Sequence, residues 1–294
     1  MDKILRNKKY IAIFAGPSLM VFAVTFVYPI IYTFVSGFYS WDGIANKTFI
    51  GLQNFIKIFT DDPIFWKSII NTIICVLMSV FIQLPIAFLL AFLLSQKLRG
   101  SVFFRKIFFI PVILSTTMVS VLWMKIYDSQ NGLLNAALNI LGLGRFAKEW
   151  LADPSTVLPC AFLSAVWQFL GNHMLIMYSG MQSISSTYYE AAQIDGASKF
   201  CILRNITLPL MSNVIKVCVV LAIIGSLKAF DSVYIMTGGG PYNSSMTLAL
   251  WMYLKAFRRM EYGYGSALAV LLVLICMLIS WVINSLFGKK SVEY

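Results

Sequence analysis

Histidine and charge are what this sequence has least of. One histidine, His173, stands in 294 residues, and Asp, Glu, Lys and Arg together make up 12%. Soluble domains carry roughly a quarter charged residues, so an ordinary soluble fold is excluded. A lone histidine cannot supply a His-based metal centre. The five cysteines, Cys75, Cys160, Cys201, Cys218 and Cys276, are odd in number, lack metal-ligand spacing and lie mostly in apolar runs. That excludes a disulfide framework and suits small buried hydrophobes. No phosphate-binding glycine loop and no nucleophile–histidine spacing occurs. An integral membrane enzyme would gather His, Asp or Cys at one membrane face, and none gather here.

What the chain has is hydrophobic residue, 59% of it, with a mean hydropathy of +0.80. This is the composition of a polytopic membrane protein, read as one membrane domain over residues 1–294. Apolar runs predict six spans, at about 11–38, 68–94, 107–127, 157–181, 212–236 and 264–287. Each holds about 20 residues or more, enough for a hydrocarbon core of about 30 Å. The first run is longer than the roughly 7–15 residues of a signal-peptide core and is read as uncleaved. Pro85 inside the second predicts a kink. Thr237-Gly238-Gly239-Gly240-Pro241 should end the fifth, and a short amphipathic helix is expected at 248–257.

Basic residues set the orientation. The N-terminal segment, the 95–106 loop, the 182–216 region and the C-terminus carry 13 Lys and Arg, among them Lys3, Arg6, Lys97, Arg105, Arg204, Lys289 and Lys290. The opposite loops carry nine, spread over longer segments and offset by more acids. This bias places both termini in the cytoplasm. The net charge of +11 is then topology, with membrane lipids as the anionic neighbours, and needs no nucleic acid.

Polar groups inside spans are functional candidates. Lys228 and Asp231, three apart on the fifth span, would share a helix face as a lining of a solute path or as a structural ion pair. Gly225 and Ser226, one turn deeper, would line that path or pack helices. On the fourth span Gln168 and Asn172 share a face beside Trp167, Gly171 and His173. Amides bond sugar hydroxyls and rings cover the apolar side of a pyranose; interhelical hydrogen bonding explains the same residues.

The most specific stretch is the polar island at 182–211. Thr187-x-x-Glu190 has the form of a capping box, predicting a helix from Thr187. Asp195-Gly196 should stop it, a second piece should run from Ser198 to Asn205, and Pro209 suits the first turn of the next helix. Glu190-Ala191-Ala192, Gly196, Ile206, Leu208 and Pro209 stand in the spacing EAA-x3-G-x9-I-x-LP.

That spacing resembles the cytoplasmic signature of the permease subunits of bacterial ABC importers. Gly51-Leu52-Gln53-Asn54-Phe55 resembles that family's first external loop, and Asn131-Gly132-Leu133-Leu134-Asn135 resembles its sugar-transporter branch, that of the maltose and glycerol-3-phosphate permeases. The resemblance implies an all-α membrane fold of six transmembrane helices, the type I importer permease fold, with a cytoplasmic coupling helix between spans 4 and 5. It implies that Glu190, Ala191, Ala192, Asp195, Gly196, Ile206, Leu208 and Pro209 couple the chain to an ATPase. The implied partners are a second, related permease forming a heterodimer, two ATP-binding subunits holding ATP and Mg, and an extracytoplasmic solute-binding protein. This chain would bind no cofactor and would not itself be an enzyme. The implied task is import of a carbohydrate, an oligosaccharide or related polyol, across the bacterial cytoplasmic membrane. The alternatives are the same importer for a solute such as glycerol 3-phosphate, or a secondary transporter without an ATPase. The latter should show inverted repeats or paired intramembrane acids, which the sequence lacks.

Overall fold

A computed structural model describes residues 8–44, 46–96 and 99–287. The basic residues Lys3, Arg6, Lys97, Lys289 and Lys290 lie outside the described residues. Helix dominates, because an apolar run in lipid must satisfy its own backbone. In chain order the helices are α1 (Lys8–Phe22), α2 (Tyr28–Ser36), α3 (Gln53–Thr60), α4 (Pro63–Met78), α5 (Leu84–Ser95), α6 (Ser101–Ile113), α7 (Thr116–Ile126) and α8 (Leu133–Ile140). Then come α9 (Val157–Gln182), α10 (Ser186–Ile194), α11 (Lys199–Ile202), α12 (Leu208–Leu210), α13 (Ser212–Leu227), α14 (Asp231–Thr237), α15 (Leu248–Tyr253) and α16 (Tyr262–Phe287). A two-residue hairpin, β1 (Tyr39–Ser40) with β2 (Thr48–Phe49), pairs Tyr39 with Phe49. Five helical runs are long and apolar enough to cross a membrane, and six when the bent pair α6–α7 counts as one span.

Three long runs share one device. Ala23–Val27, Ser79–Gln83 and Leu203–Thr207 wind as wider π turns, followed two residues on by Pro29, Pro85 and Pro209. Proline donates no bond and its ring crowds the carbonyl four residues back. Widening the turn just before it moves that carbonyl away, and the helix continues. The expected kink at Pro85 is therefore a π turn, with the Leu84 N–H donating to Ser79 O.

Two spans expected to be continuous are broken. α6 and α7 meet at 101°, with Leu114 and Ser115 extended. α13 ends at Leu227 and α14 starts at Asp231. Each break frees a carbonyl that lipid cannot satisfy. Gln168 Nε2 donates to Leu114 O at 2.9 Å, and Thr247 Oγ1 donates to Ala229 O at 2.6 Å. Removing either donor leaves a buried acceptor unpaired, a loss of about 1–3 kcal/mol. Gln168→Ala and Thr247→Val should each lower the unfolding temperature of the protein in detergent. Unchanged melting in both would mean the bends do not depend on these bonds.

The described chain falls into two compact units. In Met1–Asp62 with Met252–Val273, Asn54 Nδ2 donates to the carbonyls of Gly37 and Tyr39 and fixes the hairpin. Tyr264 donates to Asp62 at 2.6 Å, and Lys255 pairs with Glu261 at 2.8 Å. In Pro63–Trp251 with Leu274–Tyr294, the core sets Ala87 and Ala91 of α5 against Met174, Met177 and Met181 of α9, with Cys218 and Ala222 of α13. Alanines let helices approach, and methionines fill the irregular gaps. The helix expected at 248–257 forms as α15 and a following π turn; its first turn, Leu248, Ala249, Leu250 and Trp251, is out of solvent, and Phe257 is exposed.

Candidate functional site

The polar island folds as two helical arms around a tight turn. The N-cap of α10 is Ser185, whose Oγ accepts from the Thr187 N–H and lies 2.9 Å from Thr187 Oγ1. The helix thus begins one residue before Thr187, which does not cap it: two hydroxyls compete for the same amides, and the earlier one takes them. Gly196 stops the helix as expected, at φ +71°. The Ala197 N–H donates to Ala192 O at 2.9 Å and the Gly196 N–H to Gln193 O at 3.1 Å, a Schellman closure. Ser198 caps the second arm through the Cys201 N–H. The Tyr189 hydroxyl lies 3.5 Å from buried Thr207 Oγ1 and ties the arms together.

This geometry sorts the signature residues. Ala192 turns inward against the chain, whereas Glu190, Ala191, Asp195 and Gly196 face out, and Leu208 and Pro209 are exposed at the base of the second arm. Ile206 is half-buried. Among the described residues nothing lies within 4 Å of a Cβ placed on Gly196. Beside these stand Ile194, 86% exposed, and Phe200, 69% exposed. Large apolar side chains raised on a polar turn between two spans form a surface built to be covered.

The second feature is a cavity of about 330 Å³ at the α13–α14 break. Asn172, Gly225, Ser226, Lys228 and Asp231 line it, joined by His173, Ser79, Gln83, Thr116, Phe162 and Phe169. Two expected residues are not there. Gln168 is spent on the α6–α7 bend, and Gly171 lies against the Phe108 carbonyl, where a Cβ would overlap it. Lys228 and Asp231 do not share a continuous helix face: they flank the break, and among the described residues they form no ion pair. The Ser226 hydroxyl is directed at two acceptors, Ser79 Oγ and Ala222 O, each at 2.8 Å. His173 is 5% exposed and its Nδ1 has no partner among the described residues. Sequence reasoning missed Ser79, Thr116 and the two phenylalanines; the signal available was a polar residue inside an apolar run. Among the described residues no three His, Cys, Asp or Glu gather to hold a metal.

Known proteins share this architecture. The chain is 34% identical over 271 residues, 92% of each chain, to a probable ABC transporter permease protein of Pyrococcus horikoshii. It is 32% identical over 273 residues to the lactose transport system permease protein LacF of Rhizobium radiobacter, covering 92% of this chain and 91% of that one. It superposes with a TM-score of 0.85 and 21% identity on a chain of a bacterial ABC transporter involved in the import of the acidic polysaccharide alginate, covering 99% and 98% of the two. Residues 58–290 match the family model described as binding-protein-dependent transport system inner membrane component, and with the broken, six-span helical fold this makes the chain a member of that family of ABC transporter permeases.

Proposed function

We propose that the chain translocates a carbohydrate, an oligosaccharide or related polyol, as one permease subunit of an ATP-driven importer in the bacterial cytoplasmic membrane. The observation that carries this is the exposed α10–Gly196–α11 turn, which with the stretch to Pro209 holds the complete signature and raises the exposed side chains of Ile194 and Phe200. On this reading Glu190, Ala191, Asp195 and Gly196 face an ATPase subunit, with Ala192, Ile206, Leu208 and Pro209 setting the angle of the turn. ATP and Mg belong to two such partner subunits. A second, related permease completes the path, and an extracytoplasmic binding protein delivers the solute. The termini and the turn face the cytoplasm, in keeping with the basic bias. The relative named as a lactose transport system permease, and the alginate importer of like fold, support a sugar.

The cavity supplies the chemistry a sugar needs: the Asn172 amide for hydroxyl groups, with Phe162 and Phe169 for the apolar ring face. A second reading, glycerol 3-phosphate or a similar anion, draws on Lys228, which lines the cavity and among the described residues forms no ion pair. A carrier that works without an ATPase leaves the docking turn without a purpose.

The test is ATPase activity of the assembled transporter in lipid, with binding protein loaded from a sugar panel. Stimulation by one sugar is expected. Silence with every sugar in an intact assembly would move the solute to phosphates, and transport by this chain alone would overturn the importer reading. Within the cavity, Asn172→Ala should weaken apparent affinity for solute about fivefold, the loss of one hydrogen bond of about 1 kcal/mol, without lowering the unfolding temperature. A fall in melting with unchanged affinity would make Asn172 a packing residue.

A further inference from the structure

Helix α8 is inside out for a soluble segment. Its polar residue Asn135 is buried, donating through Nδ2 to Ser129 O and Lys148 O, both at 3.1 Å, and accepting from Trp150 Nε1 at 2.8 Å. Its apolar residues face out. Leu133, Ala136, Ala137, Ile140 and Leu141 are exposed, Ile140 by 86%. Their spacing of 0, 3, 4, 7 and 8 makes one continuous stripe. Only six residues separate α8 from the end of α7, part of a membrane span, so α8 starts near the membrane surface. The stripe also continues onto that span, since Leu122 of α7 and Leu133 of α8 line one groove of about 280 Å³. The exposed neighbours of Leu122 on α7, Met118 and Val121, belong to a surface whose solvent is lipid.

The groove holds more than an apolar wall. Lys125 and Asp128 stand at its rim with Asn131. Among the described residues Lys125 has no hydrogen bond or ion pair. Asp128 accepts from the Asn131 and Gln130 amides through Oδ1 alone, at 2.7 and 3.1 Å. Those amides, Asn131 first, hold its carboxyl below the usual carboxylate range, leaving an ionised acid with Oδ2 uncommitted. The Lys125 charge adds to that lowering, although among the described residues the two make no close ion pair. A cation and an anion side by side over an apolar floor match a zwitterionic head group above an acyl chain.

We propose that α8 lies in the membrane–water interface with its apolar stripe among acyl chains, and that the α7–α8 groove holds a zwitterionic phospholipid, its phosphate at Lys125 and its amine at Asp128. A helix lying in the interface buries its apolar face about 5–10 Å into the headgroup boundary.

Two measurements test this. Nitroxides placed singly at Leu133→Cys, Asn139→Cys and Ile140→Cys, in a chain whose five native cysteines are replaced, report depth in transporter reconstituted in phosphatidylethanolamine vesicles. Positions 133 and 140 should be relaxed by oxygen and 139 by a water-soluble nickel chelate. Nickel access at all three, or access by neither reagent at 133 and 140, would overturn the proposal, the second outcome assigning the stripe to a protein neighbour. Independently of cysteine replacement, native mass spectrometry of the detergent-solubilised transporter titrated with phosphatidylethanolamine should show about fivefold weaker lipid retention in Lys125→Ala, and a loss in Asp128→Ala as well. Equal retention in wild type and both variants would overturn the head-group site.

Discussion

Gly196→Trp should leave the protein inserted and folded while cutting solute uptake by about thirtyfold or more, the equivalent of losing an interface contact of ~2 kcal/mol. Two effects add. At φ +71° any side chain is strained, by roughly 1 kcal/mol, and the Schellman turn that sets the angle between α10 and α11 loosens. The indole would also fill the open space over the turn, where among the described residues nothing lies within 4 Å of a Cβ. Gly196→Ala carries the strain without the bulk and should fall between wild type and the tryptophan variant. Glu190→Lys reverses an exposed charge on the same face and should likewise separate ATP hydrolysis from transport. The measurement is uptake and ATPase activity side by side in reconstituted vesicles. Wild-type coupling in both Gly196→Trp and Glu190→Lys would remove the docking role from this turn.

The two-armed turn at 182–211 was legible in the sequence because its determinants are local. A hydroxyl, a glycine and a proline each act within one turn of helix, so the two arms and their stop can be read from spacing alone. The one slip, Thr187 for Ser185, lay between two hydroxyls two residues apart. The broken spans were not legible for the opposite reason. Nothing in Lys228-Ala229-Phe230 forbids helix, and Ile113-Leu114-Ser115 contains no glycine or proline. Ser115 caps α7 locally, but at both breaks the freed carbonyl is taken up by a side chain from elsewhere in the chain, Gln168 or Thr247. Hydropathy counts apolar residues and cannot see that donor. The same blindness moved Gln168 onto the solute path: a buried amide reads alike whether it serves a ligand or a bend. The cavity residues that were anticipated, Asn172, Ser226, Lys228 and Asp231, stood out as polarity inside apolar runs, a signal that needs no tertiary information.

Glycine shows most sharply what a sequence withholds, and it yields the largest expected loss of stability. Gly171 and Gly225 read alike, as small residues in spans that could line a path or pack a helix. In the fold they part. A Cβ on Gly225 meets nothing within 4 Å and points toward the cavity. A Cβ on Gly171 would overlap the Phe108 carbonyl oxygen and lie 2.7 Å from its carbon and 3.0 Å from Phe109 Cα. Those are backbone atoms of α6, which cannot swing aside as a side chain would, so α9 and α6 would have to separate along their contact. Gly171→Leu should therefore cost about 3 kcal/mol or more, seen as a large fall in unfolding temperature and in the yield of monodisperse protein. Gly225→Ala should melt as wild type does and act, if anywhere, on apparent solute affinity. The decisive comparison is between the two variants in one preparation. A Gly171→Leu protein that folds and melts normally but transports poorly would return Gly171 to the solute path and remove the close α6–α9 approach as the reason for glycine there.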